Sequence, residues 1–287
     1  MLRYLDESIE FFYLNGLCVG NDGNTRFMID MQHRLEMRAD TFKKNSSNVY
    51  TCTNECNIFN IACLRGNLTV AQRVAVLIGR EKDYACTYEL LVLEVGKSEN
   101  IFSVTLNEMR ASCSSGSVVE LLSGELVATA IKTWELYVWR IGEQNARPLS
   151  YRGNDFDATA LSVLENVLGR DELLALTFWN SECLGLFAIE QNELVLVHLV
   201  ELEFIPFTML WIASKETLLV SDSSHNHKQI FALRVTSRNS FADYVTLEGR
   251  VNIRVLSWCA VGDHTGNEKT AVLFDSHTHS LMKFELV

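Results

Sequence analysis

Short apolar segments that lead into a pair of large apolar residues recur seven times along this 287-residue chain. In each pair an aromatic residue or Leu is followed two residues later by Ile or Leu, and in five of the seven the preceding apolar run ends nine residues before the pair. The pairs are Phe27/Ile29, Phe59/Ile61, Leu91/Leu93, Trp139/Ile141, Phe187/Ile189, Phe231/Leu233 and Phe284/Leu286. Two period-2 segments joined by a turn of constant length are typical of a β-hairpin. The sequence therefore predicts a succession of hairpins.

The spacing of the hairpins indicates the architecture. Hairpins that recur at roughly 40–50 residues are typical of propeller blades, which bury their faces only when neighbours stack on them. We therefore predict an all-β chain that forms a single β-propeller domain over residues 1–287. Four further segments are expected to be the innermost strands of their blades: Ser117–Leu121, Ala158–Leu164, Phe207–Ile212 and Val251–Trp258.

The pattern leaves the number and the closure of the blades open. Seven pairs predict seven blades, but the first two intervals are short for four strands each, which leaves six as the alternative. The last pair precedes Val287, so the final blade has only three strands from this end. We expect the N-terminal segment Leu2–Leu5 to supply the fourth strand and so to remove an exposed edge. The alternative is a sequence that stops short of its last strand.

Composition excludes several classes of protein. Hydrophobic residues make up 48% of the chain and charged residues 21%, which is enough for a large core. No apolar stretch approaches the roughly 20 residues of a membrane-spanning helix, and the start carries acids where a secretory signal needs an apolar run. We therefore predict an intracellular protein, in the nucleus or the cytoplasm. The net charge of −11 disfavours a protein that grips nucleic acid with its whole surface.

The eight cysteines show no metal-binding spacing. The only cluster contains Cys52, Cys56 and Cys63, and it lacks the paired C-x2-C motifs of a zinc module. We expect the cysteines to be reduced and to pack as small apolar side chains.

Two hairpin turns carry the residues best suited to catalysis. The segments Asp222–His227 and Asp275–His279 each contain one Asp and two His in equivalent turns of consecutive blades. Imidazole and carboxylate groups are ligands for zinc, manganese or iron, so a metal site would be formed by Asp222, His225, His227, Asp275, His277 and His279. The alternative is that these residues stabilise their turns by hydrogen bonds to the backbone.

Two further groups of residues raise the question of binding. The cations Arg34, Arg38, Lys43 and Lys44 form the only stretch suited to a nucleic-acid phosphate, although a solvated surface is the simpler interpretation.

The five tryptophans are Trp134, Trp139, Trp179, Trp211 and Trp258. We expect them to lie in the cores of the blades rather than to line a peptide-binding funnel.

The fourth hairpin resembles a WD40 repeat. Trp139 stands at the tryptophan position and Ser123-Gly124 opens the hairpin, although no Gly-His or Trp-Asp dipeptide is present. Within that group the chain is most similar to the non-catalytic WD-repeat subunit of the tRNA (guanine-N7) methyltransferase. The likeness covers about half the chain, in the segments 48–54, 57–61, 173–177, 194–202, 206–212 and 217–221.

The resemblance implies a docking site for a catalytic partner. In that family a charged turn on a middle blade contacts the methyltransferase subunit, and the nearest counterpart here is Gly79–Asp83. The resemblance thus implies partner-binding roles for Arg80, Glu81, Lys82 and Asp83, in a longer loop than that of the family. An ordinary solvated hairpin turn is the alternative.

The sequence favours a non-catalytic role. It contains no G-x-S-x-G elbow, no phosphate-binding P-loop and no dinucleotide fingerprint. We predict a scaffold without a cofactor that binds a partner protein, which the resemblance identifies as a methyltransferase subunit, with tRNA bound only through the complex. The alternatives are a metal-dependent propeller hydrolase or lyase and a peptide-binding adaptor propeller.

Overall fold

A computed structural model describes residues 2–10, 17–19, 26–29, 34–38, 47–52, 56–65, 72–82, 85–97, 100–109, 116–124, 126–131, 135–143, 147–152, 158–179, 181–222, 230–235, 241–246, 255–262, 268–275 and 280–286. In these residues the regular structure is β-strand except for one 3-10 turn at Ala213–Lys215. No helix in this part of the chain is long and apolar enough to cross a membrane.

The strands of the first half have three to ten residues and are close together in sequence. They are β1 (Leu2–Glu10), β2 (Leu17–Val19), β3 (Arg26–Ile29), β4 (Arg34–Arg38), β5 (Ser47–Thr51), β6 (Cys56–Leu64), β7 (Arg73–Lys82), β8 (Ala85–Glu94), β9 (Asn100–Met109), β10 (Gly116–Glu120), β11 (Leu126–Ile131), β12 (Glu135–Arg140) and β13 (Leu149–Arg152).

The second half continues in the same way. Its strands are β14 (Ala158–Val167), β15 (Arg170–Phe178), β16 (Cys183–Glu190), β17 (Glu193–Glu201), β18 (Pro206–Ile212), β19 (Thr217–Asp222), β20 (Ile230–Val235), β21 (Phe241–Thr246), β22 (Val255–Gly262), β23 (Glu268–Asp275) and β24 (Ser280–Leu286).

These strands form six antiparallel sheets of four strands each, and the chain divides into two compact units. The unit Leu14–Asp155 contains sheet 1 (β2–β5), sheet 2 (β6–β9) and sheet 3 (β10–β13). The other unit, Met1–Tyr13 with Phe156–Val287, contains sheet 4 (β14–β17), sheet 5 (β18–β21) and sheet 6 (β22, β23, β24 and β1). Within each sheet the strands follow one another in sequence, with β1 as the single exception.

Neighbouring sheets within a unit pack face to face. In β7, Val74, Val76 and Ile78 enter the apolar layer shared with sheet 1. Ala75 and Leu77, which point to the opposite face, enter the layer shared with sheet 3. The other unit has equivalent layers between sheets 4 and 5 and between sheets 5 and 6. A sheet buried on both faces needs a continuous apolar run, which explains the uninterrupted Val74–Ile78 segment.

The predicted inner strands are confirmed. The segments beginning at Ser117, Ala158 and Phe207 correspond to β10, β14 and β18, and Val255–Trp258 of the fourth segment lies in β22, each the first strand of its sheet. Residues 251–254 lie outside the described residues. In the second unit β14 lies next to β18 and β18 next to β22, so the first strands of consecutive sheets are neighbours.

The seven apolar pairs become six sheets because one pair does not mark a hairpin. Phe59 and Ile61 lie on β6, the first strand of sheet 2, whereas Tyr50 lies on β5, the last strand of sheet 1. The turn between them therefore crosses from one sheet to the next. The described residues thus agree with the smaller of the two blade counts.

The N-terminal strand completes the last sheet as predicted. β1 pairs with β24 in antiparallel register, from Leu2 opposite Leu286 to Glu10 opposite Ser280. Without β1, the edge of β24 would lack a partner in sheet 6.

The prediction that the cysteines are reduced is wrong for several of them. Disulfides link Cys18 to Cys63 and Cys52 to Cys56, with Cα–Cα distances of 5.7 and 5.5 Å. The first bond joins β2 in sheet 1 to β6 in sheet 2, and the second spans the crossing between these sheets. Cys86 is also disulfide-bonded. Sequence spacing did not reveal the pairing because Cys18 and Cys63 are 45 residues apart and meet only when the sheets stack.

Alkylation of the denatured protein tests the disulfides. Without reductant, Cys18, Cys52, Cys56 and Cys63 should resist the reagent while Cys183, a free cysteine, reacts. Reduction should lower the free energy of unfolding by about 2–4 kcal/mol, measured by urea denaturation. Full labelling of these four thiols before reduction would contradict the disulfides.

Candidate protein-interaction site

The predicted metal turns are only partly within the described residues. Asp222 ends β19 and is buried, and Asp275 ends β23, so both turns do follow the second strand of consecutive sheets. His225, His227, His277 and His279 lie outside the described residues. Among the residues that the structure describes, no three His, Cys, Asp or Glu side chains approach closely enough to hold a metal ion.

The basic stretch is likewise only partly described. Arg34 and Arg38 are the first and last residues of β4, where Arg34 pairs with Thr51 and Arg38 with Arg26. Lys43 and Lys44 lie outside the described residues. A role in binding nucleic acid stays a prediction for all four.

The expected docking turn is a strand rather than a loop. Arg80, Glu81 and Lys82 pair with Thr87, Cys86 and Ala85, so β7 and β8 continue to within two residues of each other. Asp83 lies outside the described residues. The Arg80 Nε atom lies 3.2 Å from both carboxylate oxygens of Glu89, and Lys82 is exposed. The expectation of a longer loop is therefore wrong, and partner binding by these residues stays a prediction.

One tryptophan departs from the expectation that all five lie in blade cores. Trp139, Trp211 and Trp258 are buried, and the Trp139 Nε1 atom donates a hydrogen bond of 3.1 Å to Thr129 Oγ1. Trp134 lies outside the described residues. Trp179, in the turn after β15, has 48% of its surface exposed.

Trp179 rests against an aromatic side chain of the next sheet. Its ring meets Phe207 of β18 edge to face, with the ring centroids 6.3 Å apart. Phe207 is half-buried. An exposed indole supported by a second ring offers a large and rigid apolar contact, which is the kind of group that dominates protein interfaces. We define Trp179 and Phe207 as the aromatic site.

A β-bulge shapes the backbone beside this site. In β14 the register places Ala158 opposite Phe178 and Ala160 opposite Thr177, which leaves Thr159 as an extra residue. The first strand of sheet 5 has an equivalent bulge between Pro206 and Met209. Bulges bend a strand and redirect its side chains, and they occur often beside functional sites.

Hydroxyl groups satisfy the backbone at both bulges. Thr177 Oγ1 accepts a hydrogen bond of 3.0 Å from the Ala160 N–H and lies 2.7 Å from Thr159 Oγ1. It also lies 3.4 Å from the carbonyl oxygen of Phe207, so it connects sheet 4 to the residue of the aromatic site that belongs to sheet 5.

Sheet 5 repeats this arrangement. Ser221 Oγ accepts a hydrogen bond of 3.1 Å from the Thr208 N–H and lies 2.8 Å from Thr208 Oγ1.

Sequence reasoning missed the aromatic site because the turn after Phe178 reads as an ordinary hairpin. The available signal was a hydroxyl residue one position before the end of the second strand in both sheets, Thr177 and Ser221.

A buried carboxylate connects two sheets of the other unit. Both oxygens of Glu120, at the end of β10, lie 2.7 Å from the Arg65 backbone nitrogen, which follows β6. Only 6% of the Glu120 side chain is exposed. Burial raises the pKa of Glu120 to about 7, partly opposed by the Arg65 N–H and by the charges of Arg65 and Arg73.

The protonation of Tyr137 is governed by similar surroundings. Burial raises the pKa of this phenol, and its hydrogen bond of 2.9 Å to Glu135 Oε2 raises it further. The Arg152 Nε atom lies 3.6 Å from the other oxygen of Glu135. This cluster is a cross-strand pair between β12 and β13 and stabilises sheet 3.

Comparison with known proteins identifies the fold. No protein-family model matches the sequence, and no curated protein matches it. A chain in a crystal structure of the mitotic checkpoint complex is similar over 99% of this chain and 93% of that chain, with a TM-score of 0.63 and 10% identity. The β-propeller domain of Cps50 (Swd1) from Myceliophteria thermophila is similar over 100% of both chains, with a TM-score of 0.64 and 9% identity. The chain has a β-propeller fold.

The six sheets are therefore blades 1 to 6 of the propeller, in the order defined above. The aromatic site combines the turn between the second and third strands of blade 4 with the first strand of blade 5.

Substitution of Thr177 by Val tests the hydroxyl connection. The methyl group cannot accept the Ala160 N–H, so the free energy of unfolding should fall by about 1–3 kcal/mol in urea denaturation. Thr105→Val, at an exposed position of β9, is the matched control and should change stability by less than about 0.5 kcal/mol. Equal effects of the two substitutions would show that the Thr177 hydroxyl does not matter.

Glu120 should make the stability depend on pH. Its pKa is higher in the folded state, about 7, than the ordinary value of 4.5, so the folded chain retains a proton that the unfolded chain loses. The free energy of unfolding should therefore fall as pH rises between these two values, by at most about 3 kcal/mol in total. In Glu120→Gln this decrease should be absent in urea denaturation from pH 4 to pH 8. Glu143→Gln, at an exposed residue of blade 3, should keep the wild-type profile, and an unchanged profile in Glu120→Gln would contradict the assignment.

Proposed function

We propose that this propeller is a non-catalytic scaffold subunit that binds a partner protein through the aromatic site. The observation that carries the proposal is the exposed Trp179 ring, which rests against Phe207, whose carbonyl oxygen lies 3.4 Å from the Thr177 hydroxyl of blade 4. Tryptophan is among the residues most enriched in the energetic centres of protein interfaces. A tryptophan side chain has few rotatable bonds, so it binds with little loss of side-chain conformational entropy.

The fold supports a role in an assembly. One structural neighbour is a chain of the mitotic checkpoint complex, and a propeller offers several rigid turns side by side for partners. Function resides in sites rather than in folds, so the aromatic site is the stronger of these two supports.

The finer proposal concerns the identity of the partner. The resemblance to the WD-repeat subunit of the tRNA (guanine-N7) methyltransferase makes the catalytic subunit of that enzyme the first candidate, with tRNA bound only through the complex. In this proposal Arg80, Glu81, Lys82 and Asp83 contact the partner, and no cofactor is needed on this chain. A peptide-binding adaptor is the second candidate, favoured by the same exposed indole.

We also propose an intracellular location, in the nucleus or the cytoplasm. The disulfides Cys18–Cys63 and Cys52–Cys56 are the observation against it, because such bonds persist mainly in oxidising compartments. Thiol alkylation in intact cells distinguishes the two environments.

A pull-down with matched variants tests the proposed function. The tagged chain should recover one protein, a methyltransferase catalytic subunit, at near one-to-one stoichiometry. Trp179→Ala should weaken that binding on the order of thirtyfold, because it removes the central aromatic contact. The control is Ile101→Ala, which truncates an exposed apolar residue in a different blade, blade 2. This variant should bind as the wild type does.

Other outcomes would overturn particular parts of the proposal. Equal recovery by Trp179→Ala and the wild type would exclude the aromatic site. Recovery of a different protein that depends on Trp179 would keep the scaffold and exclude the methyltransferase. Stoichiometric metal in the eluate without a partner would favour the metal-dependent hydrolase.

A further inference from the structure

The outer strand of blade 4 carries two exposed large apolar residues, more than any other outer strand whose side chains the structure describes. In β17, Leu196 is 38% exposed and Leu199 is 50% exposed. The exposed positions of β5 and β13 are polar residues, and β9 has Ile101 followed by Ser103 and Thr105. Among the described strands β17 pairs only with β16, so its outer edge has no strand beside it in this part of the chain.

A bulge places the two leucines on the same face of the sheet. Phe187 pairs with Leu196 and Gly185 pairs with Leu199. Four residues of β17 therefore lie opposite three residues of β16, and β17 contains one extra residue. Phe187 and Gly185 point to the same face because they are two residues apart, and their partners therefore do so too. Without the extra residue Leu199 would face the other way.

Gly185 leaves room for larger side chains on this face of the sheet. It is directly opposite Leu199 and has no side chain to cover it. A Cβ atom at this position would lie 2.9 Å from Phe187 Cε2 and 3.3 Å from Leu196 Cδ1. We define Leu196 and Leu199 as the apolar strip.

Acidic side chains lie at both ends of the apolar strip. Glu193 begins β17 and Glu201 ends it, and both are exposed. Glu201 shares the face of Leu199, two residues away, while Glu182 and Glu203 add exposed acids near the same end. At the other end Glu190 is paired with Arg170 at 2.7 Å, which leaves Glu193 as the acid that faces solvent there without a cation in the described residues.

We propose that the outer edge of β17 binds an extended segment of a partner protein by adding a fifth strand to blade 4. The segment has apolar residues at alternate positions, which contact the apolar strip, and Lys or Arg at both ends, which face Glu193 and Glu201. An unpaired strand edge supplies backbone hydrogen bonds to such a segment, and side chains at alternate positions supply the specificity. The apolar strip contains neither Trp179 nor Phe207, and this surface uses a different mode of binding.

Charge argues against a second copy of this chain as the occupant. Two β17 strands paired antiparallel would bring Glu193 of one copy near Glu201 of the other. Like charges directly opposite each other destabilise a strand pair, so the acidic ends favour a partner of opposite charge.

Synthetic peptides test the proposal. One peptide of roughly nine residues, the length of a common strand, has alternating Val and Thr with two Lys at each end, and the second has Glu in place of Lys. In fluorescence anisotropy the basic peptide should bind at least about tenfold more tightly than the acidic one. Hydrogen exchange of the β17 backbone amides should slow when the basic peptide binds.

Variants locate the binding to β17. Leu199→Lys should weaken binding of the basic peptide about tenfold or more, and Glu201→Lys should reduce the preference for it. Ile101→Lys, which adds the same charge at an exposed apolar position of β9, should bind as the wild type does. Trp179→Ala should also bind normally, which separates this result from a failure of the aromatic site.

Three results would overturn the proposal. They are equal affinity for both peptides, unchanged exchange of the β17 amides, and a loss of binding in Ile101→Lys as large as that in Leu199→Lys. A dimer in sedimentation that Leu199→Lys dissociates would show that the occupant is a second copy of the chain.

Discussion

The packing of sheets against each other on both faces is the constraint on which the rest of the structure depends. In β7 alternate residues enter different apolar layers, Val76 on one side and Leu77 on the other. No single blade buries both faces by itself, so each is stable only between neighbours. Contacts that join neighbouring blades therefore matter more than contacts within one blade. Examples are the Cys18–Cys63 disulfide and the hydrogen bond from the Arg65 N–H to Glu120.

The aromatic site follows from this packing. The first strands of blades 4 and 5 each contain an extra residue, and a hydroxyl of the second strand fills the resulting gap in hydrogen bonding. In blade 4 that hydroxyl, from Thr177, also reaches the Phe207 carbonyl of blade 5. Trp179 follows two residues later in a turn, beyond the end of the apolar layer. Its ring is therefore left at the surface, where Phe207 of the next blade supports it.

The two proposed binding surfaces of blade 4 rest on different physical properties. At the aromatic site a rigid side chain provides the contact area, and the backbone is already satisfied. At the outer edge of β17 no further strand is present in the described residues, so the contact would come from the backbone groups of that edge. The bulge at residues 196–198 decides only which side chains lie beside them. The acids around the apolar strip belong to a chain with a net charge of −11. They select for basic partners through long-range attraction as well as direct contact.

The sequence by itself determined the local pattern and the order of the elements. The closing role of the N-terminal strand followed from the count of three strands in the last blade and from the need to cover its edge. Hairpins such as β15–β16 and β23–β24, and the first strands β14 and β18, follow from period-2 burial and constant turn length. These signals are short-range, because a strand and its hairpin partner lie within about twenty residues of each other. The tertiary structure decided what depends on contacts between distant segments. The assignment of Phe59 to a first strand, the pairing of Cys18 with Cys63, the exposure of Trp179 and the common face of Leu196 and Leu199 each depend on a bulge or on a neighbouring blade, and neither leaves a periodic trace in the sequence.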